Sequence, residues 1–207
     1  MHKTVLIVLA VSLAFAGQNL SAQNLTGGLL TGFSAPVGDL KDKQFWGTGQ
    51  SLGYHFGGFL DFNLTTNHQI RTSLTYQAFP GSKSNVLAGF YLKSSISDLQ
   101  LGADWLYHFE GTGKGWYSLA GVSLNNMRNE RDYALVIGTV TNPQVIQATS
   151  TETQNGRIGF RAGVGYSFTK SFSFEGTLNQ VLVEKTGNSG FGFNTANWAQ
   201  FSVAYHF

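Results

Sequence analysis

From Leu52 to Leu64 nearly every second residue is large and apolar, and this alternation, repeated along the chain, limits the fold more than any other feature. Leu52, Tyr54, Phe56, Leu60, Phe62 and Leu64 stand on one parity, with Gly53, His55, Gly57, Phe59, Asp61 and Asn63 on the other. Only Phe59 breaks the small or polar set. A period of two sends successive side chains to opposite faces of a β-strand. The pattern returns in His68–Phe79, where Ile70, Leu74, Tyr76 and Ala78 oppose Gln69, Arg71, Ser73, Thr75 and Gln77. It returns again in Asp98–Phe109, Arg157–Phe168 and the closing stretch Asn197–Phe207. Asn24–Val37 and Phe172–Val183 follow it less cleanly, the latter failing near Val181. In Trp116–Leu124 the parity stays open, because Tyr117 and Leu119 compete with Trp116, Ala120 and Val122.

These segments predict eight strands, joined by connections that alternate long and short. Thr65–Asn67, Glu110–Gly115 and Thr169–Ser171 are the short ones. The long ones are Gly38–Ser51, Pro80 to about Ser97, about Asn125 to Asn155, and Lys185–Ala196. Val86–Leu92 is a possible extension of the sheet inside the second. A soluble meander has no reason to shorten every second connection. The rhythm predicts an all-β fold: an eight-stranded antiparallel up-and-down transmembrane β-barrel with short periplasmic turns and long extracellular loops.

The start of the chain agrees. Met1–Ala22 has a basic start at His2 and Lys3, an apolar run from Thr4 to Ala16, and then small residues. That is the three-part pattern of a secretory signal peptide, with cleavage expected after Ala22 or, second, after Ala16. Residues 23–207 then form one barrel domain. After the signal no apolar run reaches the ~18 residues of a membrane helix, so a closed barrel is the remaining way to span a bilayer. Charged residues are 12% of the chain, against about 25% in soluble domains. With no cysteine, stability falls to the sheet. The near-neutral balance suggests no nucleic-acid partner.

Alternation separates two faces without saying which meets lipid, so the charges must decide. Asp61, Arg71, Asp104, Arg157, Arg161 and Glu175 all lie on the parity opposite the aromatics, and their signs cancel. In an eight-stranded barrel the interior is just wide enough for side chains to fill, so these six are expected to form a lumenal ion-pair network. Glycines on the same face would make room for them. Phe62, Tyr107, Phe109, Phe168, Phe172, Tyr205 and Phe207 sit beside the short turns, and Tyr54, Tyr76 and Phe160 lie towards the other rim. Two such groups match the aromatic girdles of membrane interfaces.

The segments Leu99–Phe109 (LQLGADWLYHF), Tyr117–Val122 (YSLAGV), Phe160–Phe168 (FRAGVGYSF) and the terminal FSVAYHF make the chain resemble the small outer-membrane β-barrels of the OmpA/OmpX type. The resemblance implies a bacterial outer-membrane location among outer-membrane lipids. It also implies an assembly signal in the last strand, where Phe201, Val203, Tyr205 and above all the terminal Phe207 would be read by the barrel-assembly machinery.

Chemistry is harder to find. His55, His108 and His206 fall on the lumenal parity, the last two near the periplasmic mouth, without metal-ligand spacing. No catalytic pattern for acyl transfer or lipid deacylation is present, so the chain is not expected to be an enzyme, and no cofactor is expected. The Gly-rich stretches GTGQSLG and GNSGFG lack the lysine and strand-to-helix setting of a phosphate cradle. Tyr133–Thr141 and Val145–Thr151, separated by Asn142-Pro143-Gln144, read as a hairpin carrying the fifth and sixth strands above the membrane. An extracellular ligand could bind the Tyr133–Thr151 hairpin. Taken together, the sequence predicts a monomeric barrel with a structural or surface-interaction role. A gated or lateral channel for small molecules stands second, with Phe59, Leu30 and Leu106 the expected apolar exceptions in a polar lumen, and a lipid-modifying enzyme third.

Overall fold

The computed structural model describes residues 25–38, 51–81, 83–87, 90–139, 142–184 and 193–207. The predicted signal peptide lies outside them, as do GNSGFG and most of the Gly38–Ser51 loop. Nine strands run antiparallel: β1 (Leu25–Val37), β2 (Gly53–Asn63), β3 (His68–Phe79), β4 (Lys83–Leu87), β5 (Phe90–His108), β6 (Gly115–Thr139), β7 (Asn142–Ser167), β8 (Phe172–Glu184) and β9 (Phe193–His206). Eight of them close a ring in the order β3-β2-β1-β9-β8-β7-β6-β5, and β5 pairs back onto β3 from Phe79↔Ile96 to His68↔Tyr107. The short β4 pairs with β5 alone.

Register defines the shape. A walk from Thr26 passes Asp61, Arg71, Asp104, Gly121, Arg161, Asn179 and Trp198, and returns to β1 at Pro36, ten residues beyond its start. That shear inclines the strands to the barrel axis, as closing a sheet requires.

The short turns are built as their residues dictate. Thr65 Oγ accepts from the backbone N–H of Asn67 and His68 at 3.2 and 3.0 Å, and Thr169 Oγ accepts from Ser171 and Phe172 at 3.2 and 3.1 Å. Hydroxyl residues offer such local bonds where the chain must reverse. The third turn places Gly111, Gly113 and Gly115 at φ of 93°, 91° and 84°, where a side chain would be strained.

Two expectations about extent are corrected. Residues predicted as the long connection from Asn125 to Asn155 are strand almost throughout: the expected Tyr133–Thr151 hairpin is present, but β6 and β7 stay paired from the ring out to Thr139↔Asn142, so Asn142, Pro143 and Gln144 belong to β7 and do not separate the strands. Much of the predicted Pro80–Ser97 connection is β4 and the outer half of β5, because that half finds partners in both β4 and β6. Where the wall becomes this outer sheet, the β6–β7 register shifts between Asn125 and Met127, with Gly156 at φ 66° donating to Asn126 Oδ1 at 3.0 Å. Such a bulge bends and twists the strand that carries it.

The open parity of β6 is settled too. Tyr117 and Leu119 turn inward, and Trp116 and Val122 outward. Inward Tyr117 needs a hydroxyl partner, which only the lumen offers.

Candidate functional site: a layered lumen and an outer sheet

The outer wall carries the apolar parity. Phe33, Phe56, Leu74, Val122, Phe160, Leu178 and Phe201 are all exposed, alongside many other large apolar residues. Such a surface suits hydrocarbon and not water. Rings on it touch in chains beside the short turns: Trp105–Tyr107–Phe109, Trp116–Tyr166–Phe168–Phe174, and Phe172–Tyr205–Phe207. Phe201, Val203, Tyr205 and Phe207 all face outward. Phe207 seals the seam, its N–H donating to Gly27 O at 3.0 Å, while a Cβ on Gly27 would stand 2.9 Å from the Phe207 ring.

Inside, the side chains lie in layers. Nearest the short turns, Gln69, Arg71, His108, Lys170 and His206 line a cavity of about 370 Å³. His108 and His206 therefore share one space, held apart by different partners. His108 Nε2 lies 3.1 Å from Gln69 Oε1, and His206 Nε2 lies 3.1 Å from Ser173 Oγ.

Behind this mouth is the ionic layer. Arg71 donates from Nε and Nη2 to the two Asp61 carboxylate oxygens at 2.6 and 3.0 Å, and from Nη1 to Glu175 across the barrel. Tyr117 donates its hydroxyl to Glu175 Oε1 at 2.7 Å. The guanidinium also lies 4.2 Å over the Phe59 ring, a favourable placement for a cation. Arg161 pairs with Asp104 at 3.1 Å and donates to Ser73 Oγ at 3.2 Å. Asp61, Arg71, Asp104, Arg161 and Glu175 are thus brought together, each at most 7% exposed. Arg157 is half-buried near the β6–β7 bulge, where its carbonyl accepts from Asn125 Nδ2 at 3.2 Å.

Glycine makes the layer possible. A Cβ on Gly102 would come within 2.6 Å of both Arg161 Nη1 and Ser73 Oγ. One on Gly121 would collide with Asp104, and one on Gly165 with the Tyr117 ring.

Above the ions come hydroxyls and amides. Both ring nitrogens of His55 are taken by serines, Nδ1 by Ser34 Oγ at 2.9 Å and Nε2 by Ser202 Oγ at 2.8 Å, which makes the imidazole a strut across β1, β2 and β9. Gln200 donates to Gln77 Oε1 at 2.6 Å and accepts from Asn179 at 3.1 Å.

The topmost layer corrects an expectation. Phe79, Ile96, Met127, Val181, Val183, Ala196 and Trp198 form one buried apolar cluster, with Trp198 edge-on to Phe79 at 6.0 Å. Apolar groups in the lumen are therefore not confined to Phe59, Leu30 and Leu106. The signal was visible where the alternation failed at Val181 and where Phe79 and Trp198 fell on the polar parity.

Outside the ring, β4, β5, β6 and β7 continue as a sheet. From Asn142 to Ile158, β7 pairs with β6 and with no other described strand. Residues 144–151 are exposed throughout, including Val145 and Ile146. Arg131 pairs with Glu152 at 3.6 Å, and Thr149 donates to Asp132 at 2.9 Å, so β6 and β7 are laced together on both faces.

No family model and no curated protein matches the chain. Among solved structures it is similar to CarO of Acinetobacter baumannii at 9% identity and a TM-score of 0.49, covering 87% of this chain and 97% of that one. It is similar to Ail of Yersinia pestis at 9% identity and 0.48, covering 89% and 99%. The N-terminal β-barrel domain of Pseudomonas aeruginosa OprF follows at 16% and 0.37, covering 87% and 97%. Likenesses this distant carry no argument about what the chain does, and the reading below rests on its own residues.

Proposed function

We propose that the chain is an integral β-barrel of the bacterial outer membrane, exported by its signal peptide, that conducts no steady current and works through its outer sheet. The observation that carries the reading is the edge of β7 from Asn142 to Ile158, which among the described residues pairs with β6 alone and stands beyond a ring whose lumen is filled. Exposed strand edges present unpaired N–H and C=O groups in a row, and natural proteins guard them with lysine, proline or bulges. Here Val145–Thr151 has no charge. Such an edge accepts an extended segment of another macromolecule by strand addition, with side-chain pockets supplying selectivity. The outward Phe201, Val203, Tyr205 and Phe207 serve assembly, and the finished barrel is a monomer.

The test uses the protein in lipid nanodiscs and a labelled synthetic peptide copying Asn142–Thr153, which has the composition such an edge accepts. Saturable binding is expected, and it should vanish when Val145→Lys and Ile146→Lys are combined. Binding that ignores the two lysines would remove the edge from the mechanism.

A conduit for small molecules is the second reading, and the apolar upper lumen is the observation in its favour. For that role Trp198 would have to swing away from Phe79. Dye uptake by cells that rises with expression of the wild-type protein would favour it over the surface role.

A further inference from the structure

The outer sheet has two edges, and they differ. β4 is five residues long and begins at Lys83, and short strands and lysine are common guards against strand addition. The edge of β7 has neither guard. From Asn142 to Gln154 it runs unbroken to the register shift opposite Asn125 and Met127, and among the described residues it pairs with β6 alone. Pro143, which lacks an N–H, stands at its tip, and residues 144–151 are exposed throughout. The midpoint of this stretch is Ala148.

The edge is complementary to itself. Turned antiparallel about Ala148, it sets Gln147 against the partner's Thr149, Ile146 against the partner's Ser150, Val145 against the partner's Thr151 and Gln144 against the partner's Glu152. Every pair joins residues of one parity, so both faces of the sheet continue across the junction. Like charges directly opposite would destabilise such a pairing, and none arise here. Glu152 is the one charge between Asn142 and Asn155; it meets an amide across the junction and is paired with Arg131 in its own chain. On the axis itself, where each copy meets the same residue of the other, stands alanine, which needs little room.

Direction places the second copy. β7 descends from Asn142 towards the ring and pairs with β8 from Gly159 onwards. A two-fold axis through Ala148, normal to the sheet, makes the same patch serve both copies. It reverses the strand, and the membrane normal with it. The partner barrel therefore sits in a facing membrane, and a barrel that is single in its own membrane can still self-associate. From Ala148 down to Ile158, at about 3.3 Å per residue and a tilt of about 40°, the strand descends roughly 25 Å, which sets the two apolar layers roughly 50 Å apart.

We propose that the partner of the β7 edge is a second copy of this chain in an opposed membrane. The two β7 strands add to one another antiparallel about Ala148 and join the outer sheets of two barrels into one. The proposal rests on the edge reading above and names its partner.

The experiment places the full mature chain in phosphatidylcholine vesicles, one batch carrying a donor dye and the other an acceptor. Maleimide labelling of Ala148→Cys reports that the outer sheet faces outward, and heat-modified migration on gels reports closure of every variant. Energy transfer between batches should rise at least tenfold over protein-free vesicles, with bilayers about 50 Å apart at the contacts. Ala148→Cys should cross-link to itself between batches under mild oxidant, and Gln144→Cys should not. Val145→Lys combined with Thr151→Lys sets like charges opposite one another twice, and should abolish clustering. So should Val145→Asp combined with Thr151→Asp, while mixing the lysine batch with the aspartate batch should restore it. Clustering that survives the double lysine variant, clustering with protein-free vesicles, or a mixture that stays apart would overturn the self-pairing. Wild-type vesicles that stay apart while the Asn142–Thr153 peptide still binds would remove the second copy and leave the edge reading standing. Failure of both would remove the edge itself.

Discussion

Arg71 grips Asp61 through two parallel N–H···O bonds, across a rung where the two residues are direct partners in the β2–β3 ladder. A fork-to-fork pair of this kind fixes geometry as well as charge. The third arm of the same guanidinium reaches Glu175 on β8, so one side chain ties together strands far apart in the ring.

Removing that side chain leaves two buried carboxylates without their counter-ion. Arg71→Met should lower the unfolding free energy by about 3–5 kcal/mol, read from urea titrations of the protein refolded into lipid vesicles. Neutralising all three positions with Arg71→Met, Asp61→Asn and Glu175→Gln should cost markedly less, because no uncompensated charge remains. Equal losses in the single and triple variants would mean that packing, not charge, dominates the layer.

Glycines on the two faces should respond oppositely. Gly165→Ala drives a methyl into the Tyr117 ring and should destabilise by about 1–3 kcal/mol. Gly58, on the outer wall, has nothing closer to an added Cβ than a backbone oxygen at 3.6 Å. There Gly58→Ala should be neutral or stabilising by up to about 1 kcal/mol. The same urea titration ranks them.

The ionic and apolar layers obstruct the lumen in series, so opening one should not open the barrel. Trp198→Ala alone, and Glu175→Ala alone, should show no steady current in planar bilayers. The combination should conduct in small steps. A steady current from either single variant would locate the seal in one layer.

The chain has no cysteine of its own, which makes sidedness directly measurable. Ala148→Cys on exposed β7 should react with a membrane-impermeant maleimide on intact cells. Ser171→Cys in a short turn should react only after the outer membrane is permeabilised. The reverse pattern would turn the barrel over.

Sequence alone determined the eight strands of the ring, the faces of most of them and the three short turns. Each depends on local rules: a period of two at Leu52–Leu64, a threonine opening Thr65–Asn67, glycine at 111, 113 and 115. It also placed Asp61, Arg71, Asp104, Arg161 and Glu175 on the inward parity. Which acid meets which arginine was decided only by the closed ring, since Arg71 and Glu175 are 104 residues apart and meet through the ten-residue stagger of the closed ladder. The apolar cap of Phe79, Val181 and Trp198 escaped the sequence reading for a related reason. Alternation distinguishes the two faces of a strand, but it holds no information about depth along the barrel axis. Only the assembled ring brings the upper inward positions of five strands to one level, where apolar side chains can bury one another.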